Sequence, residues 1–315
     1  MTASNKFLTI HVSNVLVWLV LLATAGNVCA QPAGAKATAV KKSWTDIAYS
    51  VNSPSQKLDI YLPDSNVSNY PVIISIHGGA FMMGDKADAQ VRPALAALHH
   101  GYAVVAINYR LSGESLFPAN IIDVKAAIRF IKANAAAYNL NATKIALWGN
   151  SAGAYLAALA GVTANVASLD DPGSDNGGQS VRVQAVVDWY GPIDFLKMDA
   201  QLRATGYGLP THNDGSSPES KLMGQPIILI PEKVKWANPE TYISKDDPPF
   251  LIMHGEEDQL VPAQQSIVFS KKLSKVLGEK KVALHLLPAT HHGGPEFETA
   301  NNIQLVTDFL DKYLK

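Results

Sequence analysis

The residues that most directly suggest chemistry form a Gly-x-Ser-x-Gly pentapeptide, Gly149-Asn150-Ser151-Ala152-Gly153. The pentapeptide lies between an apolar run typical of a strand, KIALWG (144–149), and a segment typical of a helix, AYLAALAGV (154–162). A sharp strand-to-helix turn would lift the Ser151 hydroxyl above a sheet, and a Cβ at either flanking position would collide with a neighbouring element. We therefore predict that Ser151 is a nucleophile. The alternative is an ordinary N-cap serine in a turn of small residues.

A serine hydroxyl attacks a carbonyl only when a base takes its proton and an acid orients that base. The segment PPFLIMHG (248–255) reads as a buried strand, and Asp258 follows it after a short turn. We expect this turn to bring Asp258 under the edge of the sheet as the orienting acid. Glu256 and Glu257 are the rival carboxylates, which we expect to face solvent.

The base is expected in PATHHGGPEF (288–297), a loop that follows the last predicted strand and contains two adjacent histidines. His292 directly precedes two glycines, where the backbone bends most freely. Pro295 is expected to open the final helix, at a position that suits proline. We predict that His292 is the base, and His291, one residue closer to the strand, remains the alternative.

Ester or amide hydrolysis by this route also needs N–H donors for the oxyanion of the tetrahedral intermediate. The segment IHGGAF (76–81) follows an earlier buried strand, and its two glycines allow the backbone to turn its amides into a cleft. We predict an oxyanion hole formed by the backbone amides of Gly79, Ala80 and Ala152. His77 is expected to fix this loop by hydrogen bonds rather than to react.

Buried apolar runs alternate with helix-like segments along the chain, which predicts crossover connections, a mainly parallel central sheet flanked by helices and an α/β fold. The runs lie at 71–79, 102–109, 144–149, 183–191, 248–255 and 281–288, and an alternating strand lies at 55–63. The alternation of strands and helices stops at about residues 192–240, where we expect an insertion over the active site. A loop on the far side of the sheet is the alternative.

The motifs HGGAF, NYRLS, GNSAG, DWYGP, PPFLIMHGEEDQLVP and HHGGPEF occur in the order seen in α/β-hydrolases. The chain resembles the hormone-sensitive-lipase-related esterases, and most of all the secreted group that includes bifunctional feruloyl and acetyl xylan esterases. The resemblance spans residues 40–315. It implies an α/β-hydrolase fold, Ser151 as nucleophile, Asp258 as acid, a histidine of HHGG as base, and no cofactor.

The N-terminus has the pattern of a secretory leader, because an apolar run follows Lys6 and small residues end at Ala30. We therefore expect a signal peptide over 1–30, a single catalytic domain over 31–315, and a secreted protein without a stable membrane anchor. The chain has 26 basic and 27 acidic residues and no basic cluster, which argues against nucleic acid as a partner. Composition and motifs indicate no oligomeric state.

The function that the sequence favours is a serine carboxylic-ester hydrolase acting on small-molecule or polysaccharide-linked esters with short acyl or aryl groups. The segment after Ser151 shows no long channel, and Trp189 and Tyr190 are candidates for stacking on a sugar or hydroxycinnamoyl ring, with a core position as the alternative. Rival functions are a serine peptidase of the prolyl-oligopeptidase type, a lipase-like esterase for longer chains, and a non-catalytic binding module. A metal site is unsupported, since no HExxH pattern or thiol ligand accompanies the histidines.

Overall fold

The structure is a computed structural model that describes residues 40–65, 67–171 and 175–315. The predicted signal peptide at 1–30 lies outside the described residues. Eight strands form one sheet: β1 (Val40–Ala48), β2 (Lys57–Pro63), β3 (Tyr70–Ile76), β4 (Ala103–Ile107), β5 (Leu140–Asn150), β6 (Ala185–Trp189), β7 (Phe250–Gly255) and β8 (Val282–Leu287). The described helices are α1 (Arg92–Ala96), α2 (Ala119–Ala133), α3 (Ala152–Val162), α4 (Met198–Thr205), α5 (Pro218–Met223), α6 (Pro231–Trp236), α7 (Gln264–Leu277) and α8 (Ala300–Leu314).

The strand order is β1-β2-β4-β3-β5-β6-β7-β8. β2 pairs antiparallel with β1 and β4, and every other neighbouring pair is parallel. The predicted α/β-hydrolase fold with a mainly parallel sheet is therefore confirmed. Parallel strands end at one edge of the sheet, so the loops after β3, β5, β6, β7 and β8 meet there.

The inner strands β3, β4, β6 and β7 are buried on both faces, as their continuous apolar runs predicted. The run at 281–288 forms β8, which is largely exposed because it lies at the edge of the sheet, so the prediction of a buried strand was wrong there. Within β3, Val72, Ile74 and Ile76 pack into one core with α2, α3 and α7, whereas Ile73 packs into a second core with α1 and α8. Among the described residues, none of the helices combines the length and the apolar composition that a membrane span requires.

Two local features differ from the sequence predictions. β1 lies in a polar stretch that gave no strand signal, because it is an edge strand paired only with β2. The final helix begins at Ala300 and not at Pro295, since the Thr299 hydroxyl caps it by accepting a hydrogen bond from the Asn302 N–H. Pro295 instead lies in the loop between β8 and α8.

The segment between β6 and β7 contains α4, α5 and α6. It departs from the sheet at the carboxyl edge and packs its buried residues into the core that contains α3. Residues of this segment also line the cleft described below. The segment predicted over 192–240 thus lies over the loops at which the candidate site forms.

Candidate active site

Ser151 occupies the strained turn between β5 and α3, with φ 53° and ψ −120°. A Cβ on Gly149 would lie 2.2 Å from the Gly153 carbonyl oxygen, and one on Gly153 would lie 2.1 Å from the Ile76 carbonyl oxygen. The turn therefore requires both glycines of the motif. Ser151 occupies the N-cap position of α3, but its hydroxyl makes no helix-capping hydrogen bond, so it is not an ordinary capping serine.

His292 lies between the serine and the aspartate. Its Nε2 is 2.9 Å from Ser151 Oγ, and its Nδ1 is 2.7 Å from Asp258 Oδ2. Because the carboxylate accepts the Nδ1–H, Nε2 carries the lone pair that can take the serine proton. His291 is exposed and places Nδ1 3.0 Å from the Glu257 carbonyl oxygen, away from the serine.

Asp258 is 1% exposed, and all of its described partners are donors. Oδ1 accepts the backbone N–H groups of Leu260 and Val261, each at 2.8 Å, while Oδ2 accepts from His292 and, at 3.2 Å, from His254 Nε2. Burial alone would raise the pKa of Asp258, but the hydrogen bonds from His254 and His292 hold it well below its ordinary value. The carboxylate therefore stays ionised and keeps the His292 ring oriented.

Sequence reasoning assigned no role in the site to His254, which it considered only as part of an unsupported metal cluster. The side chain is fully buried, with Nε2 2.8 Å from the Val261 carbonyl oxygen and Nδ1 2.6 Å from Ser266 Oγ. Both atoms near Nε2, the Val261 oxygen and the Asp258 carboxylate, are acceptors, so Nε2 carries the proton. The available signal was the i,i+4 spacing from His254 to Asp258 across the turn after β7.

The loop after β3 presents backbone amides beside Ser151. Gly79 has φ 109° and Ala80 has φ 55°, and no described hydrogen bond uses the N–H groups of Gly79, Ala80 or Ala152. Gln90 fixes this loop, because its Oε1 accepts the Gly78 N–H at 2.9 Å. The three amides predicted for an oxyanion hole thus lie on the cleft wall with free donors.

His77 also fixes the loop after β3. Its Nδ1 lies 2.7 Å from the Gly78 carbonyl oxygen and its ring stacks on Tyr109 at 4.5 Å between centroids. Burial lowers the pKa of His77, so the ring is neutral and its Nδ1–H donates to that carbonyl. A Cβ on Gly84 would lie 2.4 Å from His77 Nδ1, which explains the glycine at that position.

These groups open on a cleft of about 860 Å³. Its size lies in the range of small-molecule sites. Trp189 lines it but is 1% exposed and packs between Trp148 and Phe297. A ring covered in this way cannot stack on a substrate, so the core alternative describes Trp189. Tyr190 is 9% exposed and contacts the His292 ring at 4.8 Å between centroids.

The segment between β6 and β7 is fastened to the loop of the orienting acid. His212 Nε2 lies 2.9 Å from the Leu260 carbonyl oxygen and Nδ1 lies 3.0 Å from Glu219 Oε2. A Cβ on Gly208 would lie 2.0 Å from the Gln259 carbonyl oxygen, so the backbones nearly touch there. These contacts hold one wall of the cleft against the residues that follow Asp258.

We predict that the contribution of His212 to stability depends on pH. Burial alone lowers the pKa of His212, but its hydrogen bond to Glu219 and the charges of Glu219 and Asp199 raise it above 6.5 overall. Because the pKa is raised on folding, the stabilising contribution of His212 is fully present below about pH 6.5. This contribution is lost as the pH rises through the pKa of His212 in the folded state. His212→Gln should therefore lower the free energy of unfolding by about 1 kcal/mol at low pH, with a smaller difference at high pH.

The measurement is urea unfolding of the wild type and His212→Gln between pH 5.5 and pH 9. His285→Gln is the matched control, because His285 is exposed on β8. A constant difference across this range for His212→Gln would contradict the predicted linkage.

The described residues contain no group of three or more His, Cys, Asp or Glu side chains able to hold a metal ion. His77, His254 and His292 each have protein partners instead. The hydrogen-bonded side chains of Ser151, His292 and Asp258 have the geometry of nucleophilic catalysis by serine.

Known proteins that are similar to this chain are named as ester hydrolases or esterases. The BD-FAE family model matches residues 58–273. The probable carboxylic ester hydrolase LipM of Mycobacterium tuberculosis is 35% identical over 250 residues, which cover 78% of this chain and 55% of that protein. The chain spans less than two thirds of the length of the curated M. tuberculosis relatives LipM, LipQ and LipC.

Two solved structures are similar over most of this chain. A truncated carbohydrate esterase from gut microbiota aligns with a TM-score of 0.78 and 34% identity, covering 88% of this chain and 98% of that one. A bifunctional GH43-CE protein of Bacteroides eggerthii aligns with a TM-score of 0.77 and 37% identity, covering 86% of this chain and 38% of that one. The family match, which takes in more than half of the chain, shows that the protein belongs to the BD-FAE family, within the α/β-hydrolases that its motifs resemble.

Proposed function

We propose that the protein is a serine carboxylic-ester hydrolase that acts through an acyl-enzyme. The observation that carries the proposal is the unbroken chain of hydrogen bonds from Ser151 through His292 to Asp258. The names of the relatives, carboxylic ester hydrolase and carbohydrate esterase, support the same reaction class.

In the proposed mechanism, Ser151 Oγ attacks the ester carbonyl carbon while His292 Nε2 takes its proton. The carbonyl π electrons move to oxygen, and the amides of Gly79, Ala80 and Ala152 bind the oxyanion. Collapse breaks the bond to the alcohol oxygen, which leaves with the proton held by His292. Water then attacks the acyl-enzyme by the same steps and releases the acid and free Ser151.

The substrates that we propose are short-chain acyl or aryl esters, including acetyl or feruloyl groups on plant polysaccharide. Among the residues of α3, the helix after Ser151, Ala152 alone lines the cleft, so the cleft does not extend along this helix as a long acyl chain would require. The titles of two similar structures, a carbohydrate esterase and a GH43-CE protein, support a carbohydrate ester. The cleft of about 860 Å³ has room for a sugar or an aromatic acid beside the serine.

The test is hydrolysis of p-nitrophenyl esters from acetate to decanoate, together with acetylated xylan and methyl ferulate. We expect kcat/KM for the acetate to exceed that for the decanoate by about tenfold or more. Highest activity on the decanoate would contradict the short-acyl proposal and favour a lipase-like enzyme. Hydrolysis of aminoacyl amides as fast as acetyl esters would favour a peptidase. Loss of activity on exhaustive chelation would favour a metal-dependent enzyme.

We also propose that the protein is secreted, which agrees with a polysaccharide-linked substrate. The support is the leader pattern at 1–30, with small residues before Gln31. N-terminal sequencing of protein recovered outside the cytoplasm should begin at Gln31. A recovered chain that keeps residues 1–30 would contradict removal of a leader.

A further inference from the structure

The wall of the cleft that faces the triad from the β6–β7 segment contains a carboxylate. Two acidic residues line the cleft, Glu219 and Glu298. Glu298 is exposed, whereas Glu219, in the first turn of α5, is 3% exposed. Tyr207 and Leu209, which are exposed, line the same cleft. A buried carboxylate is costly unless it is paired.

The partner of Glu219 is His212, whose Nδ1 lies 3.0 Å from Glu219 Oε2. The other ring nitrogen faces the Leu260 carbonyl oxygen at 2.9 Å, and a carbonyl oxygen can only accept. Both nitrogens therefore face acceptors, and both hydrogen bonds form when His212 is an imidazolium and Glu219 a carboxylate. Asp199, which accepts the His212 backbone N–H at 2.8 Å, adds a second negative charge beside this cation.

The pairing uses one oxygen of Glu219 and leaves the other available. Within the described ranges 40–65, 67–171 and 175–315, no residue donates a hydrogen bond to Glu219 Oε1. His212 also fixes the carboxylate in place, because its ring is anchored to the Leu260 backbone. The result is a carboxylate acceptor, held in place by His212, on the wall of the cleft that contains Ser151.

We propose that Glu219 Oε1 is a hydroxyl-binding subsite, which accepts a hydrogen bond from a free hydroxyl of a sugar or other polyol part of the ester substrate. This inference rests on the proposed ester hydrolase function. Glu219 takes no part in the hydrogen bonds of the triad or in the predicted oxyanion hole, so it acts on a part of the substrate away from the bond that breaks. Its effect is on which ester is bound, and His212 is its positioning residue.

A buried carboxylate oxygen discriminates strongly between a ligand that donates to it and one that cannot, because the second leaves that oxygen without a donor. The discriminating pair of substrates is a monoacetylated methyl xyloside and the acetate of 3-hydroxytetrahydropyran. The second has a similar six-membered ring without the free hydroxyls. We expect the wild type to prefer the xyloside ester by about tenfold or more in kcat/KM.

The variants are Glu219→Gln, which removes the charge and retains the shape, and Glu219→Met, which removes the acceptor. Glu240→Gln is the matched control, since Glu240 is also a glutamate of the β6–β7 segment whose side chain is largely covered, is paired with Lys272 at 2.5 Å, and does not line the cleft. We expect the preference for the xyloside ester to fall to near one in Glu219→Met, chiefly through a higher KM, and to fall partly in Glu219→Gln. The control should keep the preference of the wild type.

The variant His212→Gln provides a second test of the subsite. It should weaken the preference even though Glu219 is unchanged, because the carboxylate loses its anchored partner. A preference that Glu219→Met leaves unchanged, or a wild type that hydrolyses both esters equally well, would overturn the subsite. If the wild type hydrolyses neither of the two esters and does not hydrolyse p-nitrophenyl acetate, the proposed function on which the subsite rests is overturned instead.

Discussion

Ser151→Ala lowers kcat for p-nitrophenyl acetate by about 10⁴-fold or more, which is the largest effect that we expect from any single substitution. The change removes the only atom of the residue that can form an acyl-enzyme, Oγ, which lies 2.9 Å from His292 Nε2. The backbone turn needs no side chain at this position beyond Cβ, so the fold should remain. The activity that remains would come from binding and from the free amides of the oxyanion loop.

Steady-state kinetics with mass-spectrometric detection of the acyl-enzyme measures this effect directly. The wild type should carry one acetyl group on the peptide that contains Ser151 when it is quenched during turnover, and Ser151→Ala should carry none. Ser168→Ala is the control, because Ser168 is exposed and does not line the cleft. Turnover by Ser151→Ala within tenfold of the wild type would mean that another group is the nucleophile.

The nucleophile turn could be predicted from sequence because its causes are local. The flanking glycines are required by contacts within the motif and with the end of β3, and the distances of 2.1–2.2 Å to a built Cβ express that requirement. The buried strands could also be predicted, since β3 to β7 are covered on both faces and read as continuous apolar runs. Edge strand β1 has no such cover and left no apolar run.

The features that could not be predicted depend on which distant residues meet. Trp189 has the composition of a stacking residue, but its rings are covered by Trp148 and Phe297, 41 and 108 positions away in the chain by residue number. The contact of His212 with Glu219 and Leu260 likewise depends on how the β6–β7 segment folds back over the loop after β7. Neither the period of the apolar pattern nor a short motif contains that information.

The two adjacent histidines give the second large effect. We expect His292→Ala to lower kcat by about 10³- to 10⁴-fold, because it removes the only base within hydrogen-bonding distance of Ser151 Oγ among the described residues. His291→Ala should keep kcat within about twofold. The His291 ring is exposed and contacts the Glu257 carbonyl oxygen. After the substitution, a water molecule can donate a hydrogen bond to that oxygen instead.

The comparison has a built-in control, since the two substitutions remove the same side chain from neighbouring positions of one loop. General loosening of that loop would lower the activity of both variants, whereas loss of the base lowers that of His292→Ala alone. The pair Gly293 and Gly294, with φ 76° and 111°, bends the backbone directly after His292 and so turns this ring, and not the preceding one, toward the serine. Loss of turnover in His291→Ala with retention in His292→Ala would reverse the assignment and require the loop to adopt another conformation in solution.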